Sequence, residues 1–215
     1  SIGVDNIKID KYTFINNTAG IHGGAIYANC SDDCKVYNCY FEGNRVPTGH
    51  GGAIDWVGNN GEIINTTFID NTARNAGAIL VCDDASNMLI LNSTFTSCRA
   101  TDGASGAVEV WGHNITIKDT NFTSSYAYEK GGSIAGFGAQ NATLENLVFK
   151  YSVVSGFHDP TGITHGDGGA IYWERTNNLT ITNLTFIENQ AHNYGGSIAL
   201  SNCNNSVLYD LSFDS

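Results

Sequence analysis

Two carboxylates, three tryptophans and a pair of histidines are the residues of this sequence whose type and spacing could do chemistry. Asp55 and Glu109 each stand two residues after the small residue of a recurring Gly-Gly-Ala-Ile-like segment, in a row that we read as Tyr27, Asp55, Leu80, Glu109, Ala135, Tyr172 and Leu200. If successive segments stack as strands, the two carboxylates are two layers apart, roughly 10 Å, near the upper end of the separation with which inverting glycosidases fit a water between acid and base. Ordinary solvated carboxylates on an outward face explain them equally, and Leu80 lies between, so no catalytic residue is assigned. Trp56, Trp111 and Trp173, together with Tyr172, fall at the edge of the same strand. Aromatic faces there could stack on sugar rings or anchor a protein partner, unless some point inward and fill the widest part of the coil. His22 and His50 precede successive glycine pairs and could stack about 5 Å apart, but two ligands do not make a metal site, and a solvated pair is expected. Asp32-Asp33 and Asp83-Asp84 read as solvated turns rather than calcium sites. Nothing in the sequence implies a metal or a cofactor.

The elements that must position these residues are set by a repeat. Phe recurs at 14, 41, 68, 95, 122, 149, 186 and 213, at intervals of 27 residues except for one of 37. Five residues before each Phe stands an aliphatic: Ile9, Val36, Ile63, Ile90, Ile117, Leu144, Ile181 and Leu208. Asn or Asp fills all eight positions eight residues before each Phe and, Lys11 excepted, the positions three before it. Segments such as Asn178 to Asn183 alternate with period two and lack helical spacing, which predicts strands. The aliphatic and the Phe differ by an odd number, so the inward alternation breaks between them, and Asn or Asp at minus three is the expected bend. The whole reads as a right-handed parallel β-helix, a solenoid of about 27 residues and three strands per coil with seven to eight coils. Stacked at roughly 4.8 Å, Phe overlies Phe, and each Asn amide can donate to the one below.

A third landmark is the small-residue corner before each inward Ile or Val, as in Gly51-Gly52-Ala53-Ile54 and Gly168-Gly169-Ala170-Ile171. Glycine permits a sharp turn there, and a phosphate-cradling role is set aside because the corners repeat seven times and precede strands. With Phe-x-x-Asn (Phe14 to Asn17, Phe41 to Asn44, Phe68 to Asn71, Phe186 to Asn189), these segments resemble the repeats of chlamydial polymorphic outer-membrane proteins and of methanogen adhesin-like surface proteins. The Asn- and Thr-rich, acidic composition leans toward the archaeal group. Cys98, Ser125 and Ser152 depart from the pattern by replacing the Asn, and Ala76 and Ser105 by replacing the first Gly. The resemblance implies a pectin-lyase-like β-helix at the cell surface, extracellular and engaged in attachment to another cell or a glycan. It carries over no catalytic residue. A β-helical polysaccharide lyase or glycoside hydrolase, and a passive surface spacer, are the alternatives to weigh.

Composition narrows the partners. A net charge of −11 without any basic cluster disfavours nucleic acid and anionic lipid, and no apolar run is long enough to insert this segment into a membrane. Six cysteines are too few to form a scaffold; Cys30 and Cys34 could bridge across a short turn, or the thiols could be buried and free. Ten Asn-x-Ser/Thr sequons occur, six of them within the two Asn rows; Asn16, Asn29, Asn121 and Asn204 are the freer glycosylation candidates. The ten-residue excess between Phe149 and Phe186 places an insertion loop at 153–167, where His158, Asp159 and His165 join the aromatic edge as binding candidates, against the reading of a tolerated loop. The pattern runs through residues 1–215, which we read as a β-helical segment of a longer repeat protein.

Overall fold

Short segments with alternating polarity, too short to be stable alone, become strands because each finds the equivalent segment one coil away. The computed structural model describes residues 6–29, 32–158, 160 and 164–214, and it is a parallel β-helix of about seven turns. Three parallel sheets run its length. The first carries the aliphatic and Phe segments, which are separate three-residue strands in the early coils, such as Glu62–Ile64 and Thr67–Ile69, and fuse later into Thr143–Lys150, Thr180–Ile187 and Val207–Asp214. The second sheet has six strands, among them Thr72–Asn75 and Arg99–Ala100. The third has seven, each following a glycine corner, such as Ile79–Val81 and Val108–Val110.

The predicted register holds residue by residue. Ile63, Ile90, Ile117 and Leu144 pair in succession, and so do Phe68, Phe95, Phe122 and Phe149. The Phe rings form one column from Phe14 to Phe213, with centroids 4.7 to 5.2 Å apart and planes within 10° of parallel. Each buried ring contributes about 1.5–3 kcal/mol through burial and about 0.5–1.5 kcal/mol more through its ring neighbours. Around this column the aliphatic rows close a dry core.

The coil bends where the two Asn and Asp rows lie. Every described member of both rows, and Lys11 with them, has a positive φ between 48° and 65°. Asn is among the few L-residues that tolerate this left-handed conformation. The side chains also form ladders: Asn92 Nδ2 donates to Asn65 Oδ1, Asn65 to Asn38 and Asn38 to Asp10, while Asn178, Asn141, Asn114, Asn87 and Asn60 link likewise in the other row. A further left-handed row, which the sequence does not announce, stands two residues after each Phe as Asn16, Gly43, Asp70, Ser97, Ser124, Tyr151 and Glu188.

The Asn of Phe-x-x-Asn faces inward. Asn44 and Asn71 are buried, and their amides donate to the carbonyls of Phe14 and Phe41. Cys98 takes the same place with its thiol toward the Phe68 carbonyl at 3.8 Å. At the corners the two small residues have separate jobs. The first is left-handed, even where Ala76 or Ser105 fills it; the second has no room, since a Cβ on Gly77 would lie 2.0 Å from the Gly106 carbonyl oxygen.

Two readings need amendment. Tyr172 pairs with Ala199, so the row ends there, and Leu200 belongs to the neighbouring inward row with Trp173. Val153 and Val154 pair with Tyr126 and Ala127 in the second sheet, so the excess chain starts after them and folds into an antiparallel hairpin, Phe157–His158 against Thr164–His165. Cys34 is disulfide-bonded, Cys39, Cys82, Cys98 and Cys203 are free thiols, and Cys30 lies outside the described residues.

Ile117 is fully buried between Ile90 and Leu144. Ile117→Asp should lower the unfolding free energy by about 3–5 kcal/mol, because it strands a charge in a continuous apolar stack. Urea denaturation followed by circular dichroism measures this, and an unchanged midpoint would contradict the register.

Candidate functional site

The third sheet presents one row inward and one outward, and the sorting of aromatics between them is the first correction. Trp56 and Trp173 stand two residues after Ile54 and Ile171, so the period of two points them into the core with those isoleucines. Both are buried. Their inward row runs Ala28, Trp56, Val81, Val110, Gly136, Trp173 and Leu200. Glycine makes the space: a Cβ on Gly61 would strike the Trp56 indole, and one on Gly136 that of Trp173. Trp111 stands an odd number of residues after Val108 and Val110; it points out and is 39% exposed. Tyr172 also points outward but is buried under its neighbours, with Phe137 at 5.9 Å and Lys130 over its ring. The proposed aromatic edge of Trp56, Trp111, Tyr172 and Trp173 is therefore not a surface, and only Trp111 remains open.

The outward row holds the second correction. Tyr27, Asp55, Leu80, Glu109, Ala135, Tyr172 and Ala199 lie in register. Asp55 and Glu109 are 0% and 4% exposed, so neither is a solvated carboxylate. Outward direction does not mean exposure here, because neighbouring side chains cover both: His22 and Cys82 lie on Asp55, and Trp111 on Glu109. Asp55 Oδ2 lies 2.6 Å from His22 Nδ1, and Oδ1 accepts the Cys82 thiol at 3.2 Å. Burial and then the Asp55 charge push that thiol well above its usual range, so it is no nucleophile. His22 stacks on His50 at 6.2 Å, and burial lowers the His50 pKa. Among the described residues no three His, Cys, Asp or Glu gather in a way that could hold a metal ion.

Glu109 is covered by Trp111, whose indole N–H donates to Oε1 at 2.8 Å while its ring stacks on Phe137 at 4.9 Å. Oε2 has no partner. Burial pushes the Glu109 carboxyl up to about 7, with the charges of Glu129 and Asp55 adding to it against the Trp111 hydrogen bond. A raised pKa in an open cleft would mark a general acid, but this carboxyl is buried beneath Trp111.

The hairpin holds the remaining sequence candidates. His165 stacks on Phe157 at 4.5 Å and Phe157 on Tyr128 at 5.1 Å, so a short aromatic column runs out from the coil. His158 is exposed, 2.9 Å from the Thr164 hydroxyl and edge-on to His192 at 5.6 Å. Asp159 lies outside the described residues. On the last two strands of the third sheet is a cleft that sequence reasoning missed, about 440 Å³, lined by Asp167, Tyr172, Tyr194, Gly195, Ile198, Ala199, Leu200 and Ser201. Tyr194 stands one residue before the corner Gly195, the repeat position that His22, His50 and Asp167 fill in other coils. Of the glycosylation candidates, Asn16, Asn121 and Asn204 are exposed and Asn29 is half-buried. All six ladder sequons have their amides engaged in donating to the coil below.

Fold and repeats place the chain among parallel β-helices of repeated coils. Two stretches, residues 11–29 and 38–55, match the model of the Chlamydia polymorphic membrane protein repeat, each spanning one Phe-x-x-Asn and one Gly-Gly-Ala-Ile. No curated protein sequence matches the chain. Among solved structures it is similar to the crystal structure of pectate lyase Pel9A, with 14% identity, a TM-score of 0.45, and coverage of 95% of this chain and 69% of that one.

Glu109 sets a pH dependence. Its folded pKa of about 7 exceeds the ordinary 4.5, so the folded chain holds the proton more tightly than the unfolded one. The resulting stability is complete below pH 4.5 and is lost as pH rises through 7, on the order of 3 kcal/mol in all. Glu109→Gln should remove this slope and raise the melting temperature at pH 8; thermal melts from pH 5 to 8 that fall equally in both proteins would contradict it.

Proposed function

We propose that this chain is a non-catalytic segment of a cell-surface adhesin, displayed outside the cell and attaching it to other cells or glycans. The match to the polymorphic membrane protein repeat carries the reading. The geometry supports it in two ways. The row that would serve hydrolysis is sealed: catalysis needs an acid and a base within hydrogen-bond reach of substrate oxygens, and Asp55 and Glu109 are closed to solvent. The regular coils meanwhile repeat in register, and the insertion adds a hairpin with His158 exposed and Phe157 and His165 half-buried, the usual place for recognition on a solenoid.

Attachment is measured directly with beads coated with the 215-residue chain and laid on bacterial and epithelial cells under flow. Retention several-fold above beads coated with albumin is expected, together with no release of reducing sugar or unsaturated product from plant and bacterial polysaccharides. Retention equal to albumin would contradict attachment. Turnover that disappears with Asp55→Asn or Glu109→Gln would replace it with an enzyme.

A further inference from the structure

We propose that the outward row Arg45, Thr72 and Arg99 of the second sheet binds an acidic glycan, the two guanidiniums taking its carboxylate or sulfate groups and the threonine a sugar hydroxyl. This rests on the attachment reading and names a ligand class and a place for it. Parallel pairing sets the three residues side by side, Arg45 against Thr72 and Thr72 against Arg99. Val46, Ala73 and Ala100, next along each strand, are buried, so the period of two turns the row outward. Arg45 and Arg99 are exposed and Thr72 is half-buried. Further coils flank the row on both sides: the Ala19 N–H donates to the Arg45 carbonyl, and Tyr126 pairs with Arg99.

Charge selects the ligand. Acidic residues outnumber basic ones 21 to 10 in this chain, yet three of its four arginines, Arg45, Arg74 and Arg99, lie on this one sheet. Sequence order hides the grouping, since each stands alone in its own coil. Arg74 is paired with Asp102 at 3.1 Å. Among the described residues no carboxylate pairs with Arg45 or Arg99. Two rungs of the sheet separate these two, roughly 10 Å, so they can hold two anionic groups of one ligand laid along the axis. A duplex or a bilayer would also meet the negative charge of the rest of the chain, net −11, which a short acidic glycan does not reach.

Arg99 is held in place before any ligand arrives. Its guanidinium lies over the Tyr126 ring at 3.9 Å, and the Tyr126 hydroxyl donates to Ser155 Oγ at 2.7 Å. Stacking occupies the flat face of the fork and leaves its N–H edge for an anion, which arginine grips with two parallel bonds. A group fixed in this way loses little freedom on binding. Between the arginines a hollow of about 240 Å³ spans the three coils, lined by Arg45, Pro47, Thr72, Ala73 and Thr101. Apolar and hydroxyl surface meet there beside a free cation, and a sugar ring that carries an anionic group offers a C–H face, hydroxyls and charge to match all three.

Calorimetric titration of the full chain at low salt tests this with heparin and hyaluronan octasaccharides and trigalacturonate. Cellotetraose serves as the neutral control, and hexaglutamate, single-stranded DNA and phosphatidylserine vesicles as other anions. At least one acidic oligosaccharide is expected to bind more tightly than any of these. Arg45→Gln and Arg99→Gln should each weaken it about tenfold, Arg99→Lys should weaken it less because the charge stays while the fork is lost, and melting temperatures should not change. Arg175→Gln, whose guanidinium is paired with Glu174 off this row, should leave binding as it is. Equal binding in Arg45→Gln and Arg99→Gln, or no preference for acidic sugars over cellotetraose, would overturn the site. Tighter binding of hexaglutamate, DNA or vesicles would overturn it in favour of that partner. If coated beads hold to cells while no acidic glycan binds, the site falls and attachment stands; if glycans bind through the arginines but beads do not hold, attachment falls and the site stands.

Discussion

Every coil has to return to its starting point while presenting the same side chains to the same neighbours, and it does so by passing through left-handed backbone at the same places each time. Left-handed φ costs an ordinary L-residue roughly 1–2 kcal/mol, a cost repeated several times per coil. Asn and Asp reduce it through local hydrogen bonds, Gly removes it, and the stack compensates the rest by overlaying each bend on an identical one. The Phe column, the aliphatic rows and the amide ladders all follow from holding those bends in register. A shift of one residue would turn every inward side chain outward.

Sequence made the inside of this molecule legible. Phe and aliphatic residues at fixed intervals, Asn at minus eight and minus three, and glycine at the corners each correspond to one packing or backbone requirement, so spacing alone recovers the coil. The outside was harder to read. Trp56 and Trp111 look alike in sequence, yet one residue of parity relative to the inward aliphatics buries the first and exposes the second. The bends over the outward face vary in length from coil to coil: from Gly52 to Gly77 is 25 residues and from Gly77 to Gly106 is 29. Cover over an outward residue comes from particular neighbours, His22 and Cys82 at Asp55 and Trp111 at Glu109. Asp55 and Glu109 were read as solvated because alternation gives direction and not cover. The left-handed row after each Phe was hidden for a related reason, since Asp70, Ser97, Tyr151 and Glu188 share a backbone state without sharing a chemistry.

The contrast between a repetitive interior and an irregular exterior bears on function. A stack of identical rungs offers no reason for one coil to bind differently from the next, whereas the hairpin after Val154 breaks the repeat. The two buried carboxylates of the third sheet, Asp55 and Glu109, belong to the scaffold. Its buried carboxyl at Glu109 lowers stability at neutral pH, and Trp111 limits that cost by donating a hydrogen bond. The irregular side and the regular core are thus separable parts of one chain, in keeping with the nearest-neighbour energetics of solenoids.

The dependence of the whole on left-handed bends is tested most directly at Asn92, with φ 48° and its amide on Asn65. Asn92→Gly removes the ladder bond but keeps the backbone state accessible, while Asn92→Ala removes both. Denaturant unfolding of the two variants should show the alanine form less stable than the glycine form by about 1–2 kcal/mol. Equal stabilities would contradict the account, because the amide ladder alone, and not the bend, would then be what holds the coils in register.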